Sequence, residues 1–202
     1  MREVQEPVVG WRVWRLREGA LHSWKLDHVW EPGSHRATCL VATLSPLRPT
    51  CASAPGRGCT CGFWALWDPV RALRKARREQ VMLPSGFGSV VGVILGWGMV
   101  AIHGDEGFRC ENASIACLIS NSVWDEDADR VVDGRVHWWR KVAHRFDVPD
   151  RQRPESLRLA AECHGVPLVS LADAVRLGVL QELGVETELV DGLRRRLFAS
   201  AA

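Results

Sequence analysis

Tyrosine is absent from the 202 residues, and no segment offers the run of roughly twenty apolar residues that a membrane-spanning helix needs. The most apolar stretch, Val90 to Ile102, is too short and is broken by Gly92, Gly96 and Gly98. The opening MREVQEPVV carries charges of both signs and no uninterrupted apolar core, so it does not read as a signal peptide, and a cytoplasmic protein is expected. The chain also lacks a phosphate-cradling glycine loop, a GxSxG elbow and an HExxH pair, which removes the best-marked enzyme classes. No strong charge excess is present either. With 26 Lys and Arg against 24 Asp and Glu, a nucleic-acid binder would need its cations gathered on one face. Internal repeats and low-complexity tracts are missing.

What the chain does have is 47% hydrophobic residues, ten Trp and seven Cys. The apolar content suffices for a substantial core. The tryptophans, including Trp11, Trp14, Trp97, Trp138 and Trp139, suit either a core or an aromatic recognition surface. Seven cysteines in a reducing compartment point to a metal or to separate buried thiols, and away from a disulfide framework.

The pattern predicts strands over Val8 to Leu16, Ala20 to Leu26, Arg36 to Ala42, Ser89 to His103 and Phe108 to Ser120. Glu18-Gly19 marks a hairpin turn between the first two. In the first strand Val9, Trp11 and Val13 share one face, while Gly10, Arg12, Trp14 and Leu16 make a mixed face that suggests partial cover. Asp68-Pro69 starts a helix running to about Gln80, with Asp as N-cap and Pro in the first turn. Beyond Asp125 the composition turns acidic and then helical. Helices are expected over Val136 to Phe146, from Pro154 to near Gly165, from the Ser170-x-x-Asp173 capping signature to about Leu183, and from Glu188 to Phe198.

The strongest chemical signal is Cys39-x11-Cys51-x7-Cys59-x-Cys61-Gly62. Zinc takes four thiolates tetrahedrally, and such a closed shell leaves no position for catalytic water. Ser45 to Thr60, with Pro46, Pro49, Pro55, Gly56 and Gly58, has little means of folding by burial, so a metal would supply what its composition lacks. The alternatives are four small buried hydrophobes, an iron–sulfur cluster, or a site in which His22, His28 or His35 replaces one cysteine.

Gly10-Trp11-Arg12-Val13-Trp14, Trp30-x-Pro32-Gly33, and Cys59-Thr60-Cys61-Gly62-Phe63-Trp64-Ala65 resemble an uncharacterised group of actinobacterial and phage-associated proteins. Gly92-x4-Gly96-Trp97-Gly98, Gly107-Phe108-Arg109-x-Glu111-x-Ala113 and Leu159-Ala160-x4-Gly165-Val166-Pro167 continue the likeness. In that group a histidine stands where this chain has Cys51, and both residue types are zinc ligands. The resemblance implies no activity.

Other candidates are weaker. Arg71, Arg74, Lys75 and Arg78 form a basic helix face that could meet phosphates, with Trp64 or Trp67 stacking on a base; a solvated face is the alternative. Ala161-x3-Gly165-Val166-x4-Leu171 has helix-turn-helix spacing, against which Leu168 and Val169 argue. Trp138 and Trp139 with Trp11, Trp14 or Trp97 could line a ligand pocket. Cys110 with His103, near Asp105, Glu106 and Glu111, is a conceivable nucleophile pair across a hairpin, and Cys163-His164 a poorer one.

Together these readings predict an α+β protein. Residues 1–124 form a strongly bent antiparallel sheet or small β-barrel with a zinc-clamped loop and one inserted helix, and residues 125–202 a helical C-terminal region. The expected function is a non-catalytic binding or regulatory module with structural Zn2+ on Cys39, Cys51, Cys59 and Cys61. Nucleic acid is the first partner to test, another protein the alternative, and a Cys–His enzyme the third reading; no membrane is expected.

Overall fold

The computed structural model describes residues 1–24, 28–39, 51–80, 82–83, 86–120 and 153–175. The expected helices over 136–146 and 188–198, the continuation of the capped helix to Leu183, and the Trp138–Trp139 pocket lie outside the described residues.

The protein is α+β and dominated by its sheet. Three long strands, β1 (Arg2–Arg17), β6 (Gly88–His103) and β7 (Gly107–Ile119), form its centre, with β6 antiparallel to both others. The short strands are β2 (Ala20–His22), β3 (Val29–Trp30), β4 (Ser34–Arg36), β5 (Phe63–Leu66) and β8 (Leu168–Val169). Helices α1 (Pro69–Gln80), α2 (Arg153–His164) and α3 (Leu171–Val175) complete the described chain. Pairing runs round from β1 through β6, β7 and β5 back to β1, but the last link is the single pair Trp11↔Leu66, so the ring is not a clear barrel. Register shifts at Val4/Val8 in β1 and at Trp97/Val100 in β6 bend strands otherwise too long to stay flat.

The Glu18-Gly19 turn forms as expected. Both residues have positive φ, the geometry that lets a two-residue connection follow the twist of β1 and β2. Helix α1 also starts where its sequence says, with Val70 N–H donating to Asp68 Oδ1 at 2.8 Å. The expected strand Arg36 to Ala42 is different: β4 covers Ser34–Arg36, and residues 37–39 leave the ladder. Ala37 N–H still donates to Glu111 O at 2.7 Å, after which the chain turns to present Cys39.

Strand β1 is buried on both faces, not on one. Val9, Trp11 and Val13 pack with Ala72, Leu73 and Ala76 of α1 and with Leu171 and Ala174 of α3. Trp14 and Leu16, on the face that read as partly covered, are 0% and 2% exposed. They pack with Leu21, Trp30, Phe108 and the α2 residues Leu157, Ala160 and Ala161. Two features make a mixed face buriable. Gly10 leaves room for Phe108, whose ring would lie 2.6 Å from an added Cβ. Arg12 sits over the Trp30 ring at 4.9 Å and donates from Nη1 to Trp64 O at 2.6 Å. Burial pulls the Arg12 guanidinium down to about 10, which leaves it a cation, and Cys110 partly offsets that shift.

The helix-turn-helix spacing proves to be something else. Between α2 and α3 the residues Leu168 and Val169 form β8, parallel to Leu118 and Ile119 of β7. Ser170 caps α3, with Asp173 N–H donating to Ser170 Oγ at 3.0 Å. The segment between the helices is used as an edge strand on β7, with Leu168 exposed and Val169 half-buried, and not as a DNA-reading turn.

Gly107 shows how tightly β5 lies on β7. An added Cβ would strike the Ala65 carbonyl oxygen and lie 2.9 Å from Ala65 C and Leu66 Cα, all of them backbone atoms. Gly107→Ala is expected to cost about 3 kcal/mol. Urea unfolding should show a lower midpoint at unchanged slope.

Candidate metal centre

The centre is assembled along one edge of β7. β4 pairs there with Arg36 opposite Asn112, and β5 with Phe63 opposite Cys110. Both run antiparallel to β7, so the chain leaving β4 and the chain entering β5 approach one another near Glu111. Cys39 lies three residues beyond Arg36, and Cys59 and Cys61 lie just before Phe63. Cys51 comes in from the proline- and glycine-rich turn between them. The four sulfurs all lie within 4.8 Å of one another. Cys39 Sγ and Cys59 Sγ are 3.8 Å apart. A tetrahedral thiolate site with zinc–sulfur bonds near 2.3 Å has sulfur–sulfur edges of roughly 3.8 Å, so the spacing suits a shared metal. It is far from a disulfide, whose sulfurs stand about 2.05 Å apart.

Local chemistry favours the same arrangement. Gly56 N–H donates to Cys61 Sγ at 3.2 Å and Cys59 N–H to Gly56 O at 3.3 Å, which folds the turn over the sulfurs. A side chain at Gly56 would fall onto Cys51 Sγ and within 2.7 Å of Cys51 Cβ. Gly62, at φ +109°, turns the chain out of the cluster into β5, with its missing Cβ 3.1 Å from Pro55 Cβ and 3.2 Å from Cys110 O. The Cys51 thiol is pushed up to about 12, first by hydrogen bonding with Cys59 and then with Cys39. Thiols crowded without a cation hold their protons; a divalent metal displaces them.

Arg109 of β7 fastens this turn to the sheet. It is 5% exposed and donates from Nη1 to Cys59 O and, at 2.8 Å, to Cys61 O. Its Nε donates to His103 Nε2 at 2.8 Å, which assigns the imidazole proton to Nδ1. Trp64 completes the stack, 4.5 Å from the His103 ring and 5.3 Å from the Arg109 guanidinium. The cysteine spacing gave no hint of Arg109. The available signal was a cation within the apolar run Phe108 to Ile119, because a charge in a central strand is retained only when it is bonded.

His103 is held below its ordinary 6.5, by burial first and by Arg109 next, with Glu106 acting the other way. A depressed histidine stabilises the fold above its unfolded value and loses that stabilisation as pH falls through the folded value. Unfolding midpoints should therefore drop on acidification below about 6.5, and His103→Gln should flatten that drop in a urea titration run at several pH values.

No family model, curated protein or solved structure matches this chain. Its chemistry therefore has to be read from its own residues.

The other candidate residues do not join the centre. His35 bonds Glu31 O through Nε2 at 2.7 Å and packs 4.5 Å from Trp30; His28 lies beside it, and His22 stands edge-on to Phe87. Cys110 is 0% exposed, donates to Phe63 O at 3.6 Å, and is pushed up to about 12 by burial against the opposing pull of Arg12. A thiol so placed is a poor nucleophile. Cys110 pairs across the ladder with Val100, whereas His103 pairs with Gly107 and bonds Arg109. Glu111 holds Arg36 at 2.9 Å and Met99 N–H at 3.2 Å. Cys163 is exposed at the end of α2, beside His164.

On α1, Arg71, Arg74 and Arg78 are exposed and Lys75 is half-buried. Arg71 donates to Asp105 Oδ2 at 2.6 Å, and Lys75 pairs with Glu79. Trp64 and Trp67, the proposed stacking residues, already lie against His103 and Phe108. Trp11 and Trp14 are core residues.

Proposed function

We propose that this protein is a non-catalytic binding module whose β4–β5 turn is locked by a structural Zn2+ ion on Cys39, Cys51, Cys59 and Cys61. The observation that carries this reading is the convergence of the four sulfurs within 4.8 Å. An all-sulfur donor set selects zinc or another thiophilic metal over calcium or magnesium. When bound, zinc cross-links the turn and offers no open coordination position. The surrounding residues do the rest: Arg109 holds the turn's carbonyls, Gly56 directs its N–H at Cys61, and Gly62 hands the chain to β5. Elemental analysis of untagged protein tests the reading. One zinc per chain with no visible absorption supports it. Bound iron with a charge-transfer band, or metal-free protein in full reductant, overturns it.

Nucleic acid is the partner class we assign first, through the α1 face of Arg71, Arg74, Lys75 and Arg78. Support comes from the exposure of three of these cations on one helix side. With Arg71 and Lys75 already ion-paired, the face amounts to fewer phosphate contacts than its residue count suggests. The triple reversal Arg71→Glu, Arg74→Glu, Lys75→Glu is expected to abolish binding of a labelled single-stranded oligonucleotide. For the unmodified protein, log affinity should fall with log salt at about 0.7 per phosphate contacted. Unchanged anisotropy titrations would move the assignment to a protein partner.

A further inference from the structure

Resting on the metal reading above, we propose that the four-cysteine centre is a peroxide-sensitive switch, in which oxidation joins Cys39 to Cys59 and releases the metal. Access separates these cysteines from those of the core. Cys39, Cys51, Cys59 and Cys61 are all partly exposed, whereas Cys110 and Cys117 are 0% exposed. A small oxidant reaches the first set and not the second.

Charge is the second observation. Four thiolates around a divalent ion leave two negative charges on the cluster. Arg109, the guanidinium bonded to the turn, directs its donors to the Cys59 and Cys61 carbonyls and to His103 rather than to sulfur. Arg109 therefore leaves the charge on the sulfurs, of which Cys61 Sγ accepts from Gly56 N–H, and the thiolates remain nucleophilic toward a peroxide.

Geometry admits the pair. Cys39 Sγ and Cys59 Sγ are 3.8 Å apart, and a bond requires them to close by about 1.8 Å. Cys39 can supply that motion because it lies beyond the last ladder residue of β4, Arg36. One thiolate attacks the peroxide O–O bond, becoming a sulfenic acid and expelling hydroxide. The second thiolate attacks that sulfur, forms the S–S bond and expels another hydroxide. Two electrons leave the two sulfurs, hydrogen peroxide is reduced, and two protons complete two waters. With two of its four ligands gone, the zinc departs as Zn2+. None of the four cysteines belongs to either buried core cluster, so the event alters the β4–β5 turn while the sheet persists.

The test uses the full-length zinc-loaded protein, hydrogen peroxide, a chromophoric chelator, and peptide mapping after differential alkylation. The expected result is release of the bound zinc with a Cys39–Cys59 disulfide, free Cys110 and Cys117, and recovery on adding thiol and zinc. The variant Cys163→Ser, which removes an exposed thiol outside the centre, should release zinc at the same rate. Zinc retained in excess peroxide, release with irreversible sulfinic acids, another pairing, or dependence on Cys163 each overturns the switch. Failure of the metal reading would appear earlier, as protein with no zinc before peroxide is added.

Discussion

Cys59→Ser is expected to remove the bound metal and to leave the β4–β5 turn open to protease while the sheet stays folded. The Cys59 sulfur lies 3.8 Å from that of Cys39 and its carbonyl accepts from Arg109, so it joins the cluster to the sheet on both sides. A serine hydroxyl is a poor substitute for a soft thiolate. The thermodynamic effect follows from linkage: a ligand bound only by the native state, at a free concentration a thousand times its dissociation constant, adds about 4 kcal/mol. Chelator treatment of the unmodified protein should reproduce that loss, whereas Cys59→Ser should be unresponsive to chelator. Limited proteolysis within residues 51–62, together with thermal unfolding with and without zinc, checks both statements. An unchanged unfolding midpoint after complete removal of metal would dissociate the clamp from stability.

Arg109→Met is the second large effect. The side chain is buried and its guanidinium meets two carbonyls and one imidazole. Methionine fills part of the volume but donates nothing, leaving the Cys59 and Cys61 carbonyls without this donor. Hydrogen bonds from a charged group are worth about 1.5–3 kcal/mol, and a buried acceptor left unpaired costs about 1–3 kcal/mol more. A net destabilisation of about 3 kcal/mol is expected. Removing groups that orient metal ligands typically lowers affinity 10–100-fold. Competition with a zinc indicator should show a fall in that range, accompanied by a weaker His103-dependent acid sensitivity, since burial still lowers that histidine. A merely structural residue would lower stability and leave metal affinity unmoved.

Local physics was legible where neighbouring residues decide the outcome. Asp68-Pro69 set the start of α1 because the N-cap and a fixed φ act within one turn. The long apolar runs gave β6 and β7 almost to the residue, and Glu18-Gly19 gave the first hairpin. Among the described residues, no helix is long and apolar enough to cross a membrane. The four cysteines were also legible as a set, because a proline- and glycine-rich turn cannot bury thiols on its own.

Their convergence was not. Spacings of eleven, seven and one residues are compatible with many shapes, and they become a site because β4 and β5 lie end to end along the same edge of β7. Arg109 escaped notice for a similar reason, since its partners lie 48, 50 and 6 residues away in sequence. The second face of β1 looked half-polar until Gly10 admitted Phe108 and the Trp30 ring covered Arg12. Leu168 and Val169 argued against a turn between DNA-reading helices, but only the fold shows that they pair with an edge of β7. Sequence alone determined the elements whose hydrogen bonds close within a few residues, and it named the four cysteines that cluster closely enough to hold a metal. Tertiary structure decided which elements share an edge. That choice depends on pairings between distant residues, whose energy no local pattern contains.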